Sequence, residues 1–154
     1  MPGQSTAADA GVLAHADRAA ILSALRLSAN PRGQVLNECG ELTTPQFLPV
    51  KLGGGVGAAA LFAIAGGPNT AGCYGDGPEL HLLMREATGW RKIYSARGRM
   101  LIVLPTSTGG VRDIGDGGPG FSFPVWTWNG TEYAPAGREI SDAELSKLKA
   151  TYLP

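Results

Sequence analysis

Short apolar runs separated by clusters of turn-forming residues recur along this chain, and their spacing predicts strands far more often than helices. The clearest stretch is 115–133, GDGGPGFSFPVWTWNGTEY. Phe121, Phe123 and Val125 share one parity, and Trp126 and Trp128 share the other. Both sets have the aromatic and β-branched character of a strand. Asn129-Gly130 supplies the two positive-φ positions of a type I′ turn, after which Tyr133 starts the return strand. Pro124 has no amide donor, so its nitrogen is expected to face an edge, a bulge or solvent.

The rest of the chain follows the same punctuation. Residues 1–11 are small and polar and are expected to fray. From Asp17 the text DRAAILSALRLSA has helical spacing: Asp17 is an N-terminal acid, Ile21, Leu22 and Leu25 form one apolar stripe, and Asn30-Pro31 stops it. Residues 33–37 are a short strand candidate, Glu38-Cys39-Gly40 turns, and 46–52 is a second strand with Pro49 marking an edge. The run 58–65, AAALFAIA, fits a buried strand or a short helix by periodicity alone; its length and flanking glycines favour the strand. Residues 66–78 are too rich in turn formers to be regular and are expected to form an exposed loop. Residues 79–85 and 90–95 read as a hairpin joined by the loop 86–89. Residues 100–104 form an apolar strand ended by Pro105, and 111–114 lead into the aromatic stretch. Ser141 and Glu144 complete a capping box for a terminal helix with Leu145 and Leu148 as its apolar face. This order predicts the α+β class: an antiparallel sheet of short hairpin-connected strands with an N-terminal helix and a short C-terminal helix.

Composition narrows the function classes. At 154 residues the chain fits one domain, 1–154, with an expected single core. Its 13 basic and 13 acidic residues cancel without segregating, so the field that draws proteins to nucleic acid or anionic lipid is missing. No apolar run approaches the ~20 residues that span a bilayer. The start, MPGQSTAADAG, lacks a basic region followed by an apolar core and reads as a mature chain whose export signal has been removed.

Candidate chemistry is sparse. Gly53-Gly54-Gly55-Val56-Gly57-Ala58 fits a dinucleotide fingerprint with Asp76 as ribose acid, but no alternating βαβ units follow, and a turn explains the glycines. His81 alternates with apolar neighbours and reads as a packed or rim histidine, since the sequence places no nucleophile beside it. Asp113 and Asp116 with Glu79 or Glu86 offer carboxylates for acid–base work, yet nothing selects two of them. Asn129-Gly130-Thr131 matches a glycosylation sequon that the hairpin turn also explains. Cys39 and Cys73 sit in Asn/Gly-rich surroundings without metal-site spacing. No catalytic residues, no metal and no cofactor are expected.

At Asn37-Glu38-Cys39-Gly40, Cys73-Tyr74-Gly75 and the segment 117–125, GGPGFSFPV, the chain resembles a family of small exported proteins of Gram-negative bacteria. These are lysozyme-inhibitor-like periplasmic proteins, some acting as immunity proteins against peptidoglycan-cleaving effectors. The match spans roughly residues 33–133, with Asp113-Ile114 and Trp128-Asn129-Gly130 standing for further family segments. The resemblance implies a non-enzymatic periplasmic binding protein whose partner is a lysozyme-like hydrolase. Its contact would lie at Tyr74, Gly75 and Asp76; the alternative is an envelope module that binds protein or glycan through Trp126 and Trp128. Two departures qualify the match. The acidic, calcium-loop-like segment of the family is replaced here by Lys51-Leu52-Gly53-Gly54-Gly55-Val56-Gly57, which has no carboxylate for a hard cation. Ser122 replaces a family cysteine, leaving Cys39 and Cys73 either bonded to each other, as an oxidising compartment implies, or both free.

Overall fold

The computed structural model describes residues 13–66, 74, 77–117 and 122–153. In chain order the elements are α1 (His15–Ala24), β1 (Val35–Leu36), β2 (Leu42–Thr43), β3 (Gln46–Val50), β4 (Ala59–Ile64), β5 (Glu79–Glu86), β6 (Gly89–Arg97), β7 (Met100–Thr108), β8 (Val111–Gly117), β9 (Ser122–Trp128), β10 (Tyr133–Ser141), α2 (Asp142–Leu145) and β11 (Thr151–Leu153). This is an α+β protein, mainly β, with every strand pair antiparallel. Among the described residues no helix is long and apolar enough to cross a membrane.

The strands form a small β1–β2 ribbon and two larger sheets, ordered β3-β4-β5-β6 and β10-β9-β8-β7-β11. The larger sheets pack face to face: Leu61, Leu80, Leu82 and Ile93 of one join Leu101, Val103, Val111 and Ile114 of the other in one apolar cluster. A second cluster covers the opposite face of the four-stranded sheet, where Ile21 of α1 and Val35 pack on Ala60, Phe62 and Leu83. A third covers the opposite face of the five-stranded sheet, where Leu145 of α2 meets Ile102, Leu104, Val125 and Ile140. The expected single core is therefore three clusters, because both sheets are covered on both faces. That also explains 58–65. Alternate residues of β4 serve two clusters, so all six of its residues are buried.

Several expected boundaries move. Helix α1 starts two residues before Asp17 and ends well before Asn30. Its stop is a Schellman motif, in which Leu27 N–H donates to Leu22 O (2.8 Å) and Arg26 N–H to Ser23 O (3.0 Å), with Arg26 at φ +59°. The loop between β5 and β6 is two residues rather than four, since Glu86 pairs with Gly89. Pro105 does not end its strand: β7 continues to Thr108 across a register shift between Val103 and Ser107. Nor does Asn129 take a positive φ. The β9–β10 loop holds four residues closed by Asn129 Oδ1, which accepts from Thr131 N–H and Glu132 N–H (both 2.9 Å), and only Gly130 is left-handed. Pro124 sits where β8–β9 pairing stops and opposite the irregularity in β10, as its missing donor requires.

The glycine run behaves as a packed corner. Gly53 has φ +103°, and a Cβ there would lie 2.7 Å from Gly110 O in the β7–β8 turn; one at Gly55 would lie 2.8 Å from Val111 Cγ2. Arg112 N–H donates to Leu52 O (2.7 Å) across the same junction. The next element is strand β4, which removes the dinucleotide reading. At the other end the capping box forms as expected. Ser141 Oγ accepts from Glu144 N–H, while hydrogen bonds from Ser141, its backbone N–H foremost, hold the Glu144 carboxyl below its usual range.

Candidate functional site

A cavity of about 470 Å³ lies where the end of α1, the β1–β2 ribbon and the α1-facing side of the four-stranded sheet meet. Its floor is set by strand alternation. Glu79 and His81 are two apart on β5 and project to the same side, and Ile64 pairs with Glu79 from β4. Arg26, Leu36 and Asn37 close the other wall.

Asn37 organises its own turn. Its Oδ1 accepts from Cys39 N–H (2.9 Å) and Glu41 N–H (3.0 Å), while its Nδ2 is buried with no hydrogen-bond partner among the described residues. Tyr74, at φ +60°, reaches across from the other side. Its hydroxyl accepts from Glu38 N–H (3.0 Å) and donates to Glu79 Oε1 (3.4 Å), and the Arg97 guanidinium stacks on its ring at 4.2 Å. Arg97 also pairs with Glu38. Burial pushes the Tyr74 hydroxyl above the ordinary tyrosine value, as does its proximity to Glu79 and Glu38.

A line of side chains crosses the sheet beside this cavity. His81 Nε2 lies 2.5 Å from Glu79 Oε2, and His81 Nδ1 lies 2.7 Å from Ser95 Oγ on the neighbouring strand. Serine, imidazole and carboxylate in that order make a relay that can move a proton from the hydroxyl toward the ring. Ser95 is exposed on strand β6, at the sheet's edge.

The residues singled out from sequence fall in different places. Tyr74 is only 7% exposed, so it is not the exposed loop contact expected of it; it is an anchor between two segments. Gly75, Asp76 and Cys73 lie outside the described residues, as does most of the expected loop 66–78. Trp126 and Trp128 do not present a free aromatic face: both are half-buried, with Trp126 edge-on to Tyr94 (5.2 Å) and Trp128 edge-on to Tyr133 (5.5 Å). Asp113 and Asp116 are buried rather than turn-forming. Asp113 accepts from the Thr106 and Thr108 hydroxyls (both 2.7 Å), and Asp116 accepts from Tyr94 Oη–H (2.8 Å) and faces Arg99 at 3.4 Å. Among the described residues no group of three potential metal ligands comes together.

Sequence reasoning missed Ser95, Arg26 and the orphan amide of Asn37. The first depends on a bulge, since register in β5–β6 shifts by one between Leu82 and Leu83. Counted straight from the turn, Tyr94 would face His81; the bulge at Ile93 brings Ser95 there instead. Comparisons with family models, with curated proteins and with solved structures found no match.

Proposed function

We propose that the chain is a non-enzymatic binding protein of the periplasm, similar to lysozyme inhibitors, which docks on a peptidoglycan-cleaving hydrolase and serves as immunity against it. One observation carries this reading. Of the segments that supply the resemblance, Asn37–Gly40 is joined to Tyr74, the described residue of Cys73-Tyr74-Gly75, by the Glu38 N–H to Tyr74 Oη hydrogen bond (3.0 Å) and by Arg97, which engages both Glu38 and the Tyr74 ring. A surface built around such an anchor loses little entropy on docking. The contact residues of this reading are Gly75 and Asp76, which follow Tyr74 in the sequence. The test is inhibition and pull-down against a panel of lysozyme-like hydrolases, with Asp76→Ala beside the wild type. Inhibition weakened by Asp76→Ala at unchanged melting temperature supports the reading; no inhibition or binding across the panel removes it.

The Ser95–His81–Glu79 line favours a second reading, a small serine hydrolase. A fluorophosphonate should then label the protein at Ser95, and His81→Ala should abolish labelling. Absence of a mass shift on the wild-type chain rejects it.

A further inference from the structure

Three features of the cavity beside Tyr74 point to a ligand. The first is Asn37, a wall residue of the cavity whose buried Nδ2 is a donor with no partner among the described residues. Such a donor is costly unless something accepts from it. The second is backbone strain. Among the described residues, Arg26 and Tyr74 are the only non-glycines with positive φ, at +59° and +60°, and both line this cavity. Glycine is the ordinary residue at the position Arg26 holds, and strain of this kind gathers where a side chain is needed for function. The third is charge. Glu38 and Glu79 are engaged by Arg97 and His81, whereas Arg26 and Lys92 make no ion pair among the described residues. The Leu25, Arg26 and Leu27 N–H groups take up the carbonyls of Ile21, Ser23 and Leu22, and the Arg26 cation offsets the negative end of α1. Leu25, Leu27, Leu36 and Ile64 supply apolar walls, and Leu36 is 59% exposed at the rim.

We infer that this cavity binds a small organic carboxylate with an apolar tail: the carboxylate meets Arg26, Lys92 and the Asn37 amide, and the tail lies along the leucines. The volume of about 470 Å³ is that of a small-molecule pocket. An inorganic anion would leave the apolar walls unused, which makes phosphate the natural control. The site is independent of any hydrolase partner.

The experiment is a heteronuclear NMR titration of the whole chain with hexanoate, acetate and inorganic phosphate. Hexanoate should give saturable shifts at the amides of Arg26, Leu36, Asn37 and His81 with a dissociation constant of about 1 mM or tighter. Acetate should bind about tenfold or more weakly, for want of the tail. Two variants separate binding from folding. Arg26→Gly removes a cation and relieves the left-handed strain, so it should raise the melting temperature by about 2–4 °C while weakening hexanoate about tenfold. Asn37→Asp keeps the two hydrogen bonds that Oδ1 accepts but replaces the donor with a charge, and should abolish binding in a folded protein. Phosphate binding as well as hexanoate, hexanoate failing to saturate, or Arg26→Gly leaving its affinity unchanged would each overturn the proposal.

Discussion

At the residue scale, three of the four tyrosines link parts of the molecule that are distant in sequence, and each of the three does so through its hydroxyl. Tyr74 ties the turn after β1 to β5, Tyr94 reaches Asp116 in the other sheet, and Tyr133 Oη–H donates to Arg112 O (2.5 Å). Tyr74→Phe should therefore cost about 1 kcal/mol by orphaning Glu38 N–H. Tyr74→Ala should cost about 3 kcal/mol or more, because the ring also fills the cluster under α1. Chemical denaturation distinguishes the two; equal midpoints for both variants would mean the ring contributes nothing. Burial pushes the hydroxyls of Tyr94 and Tyr133 well above the ordinary 10.0, with Asp116 adding to the first and Asp113 to the second. The raised folded-state value favours the neutral form. The stability this contributes is complete below about pH 10 and is lost as pH rises from there toward the folded-state values. Denaturation midpoints should accordingly fall steeply toward about pH 11, and Tyr94→Phe should flatten that fall. An identical slope in the variant would show that Tyr94 titrates alike in both states.

At the element scale, one short loop makes the sharpest comparison. Gly53→Ala forces a Cβ against Gly110 O at a left-handed φ, whereas Gly54→Ala meets nothing within 4 Å. The first should cost about 3 kcal/mol or more and the second stay within about 0.5 kcal/mol. Melting curves of the pair check this, and comparable losses would show that the corner tolerates movement. From sequence, the same glycines read only as a turn, because composition reports conformational freedom and not what lies within reach. Elements whose signal is local were legible: β4 from its flanks, the capping box of Ser141 and Glu144, the edge position of Pro49. What depended on pairing was not. The two-residue β2 and the late strand β11 have too few residues to show a period, and β7 runs through Pro105 because a register shift absorbs the missing donor. The cavity was illegible for the same reason. Arg26 reaches it only through an early helix stop that no glycine or proline announces, and Asn37 reads as an ordinary turn residue until its amide is seen buried.

At the scale of the whole molecule, two sheets stacked on one another with a helix on each outer face leave the first cysteine in the turn that Tyr74 anchors. We expect Cys39 and Cys73 to be bonded in protein isolated from an oxidising compartment; two reactive thiols per denatured, unreduced chain would refute this. The contact between the sheets also has an arithmetic. With Ile93 bulged out of pairing, Tyr94 turns toward Asp116 and Ser95 toward His81; were Ile93 paired instead, each would slip by one and their assignments would exchange. The hairpin thus works as a frame-shifted text in which odd and even positions carry different messages, one addressed to the partner sheet and one to the cavity. Deleting Ile93 should therefore remove the bulge and keep both messages, with Lys92 opposite Leu83, Tyr94 opposite Leu82 and Ser95 opposite His81 in a regular ladder. Removing a facing pair nearer the turn, one from each strand, should shorten the hairpin and leave both readable.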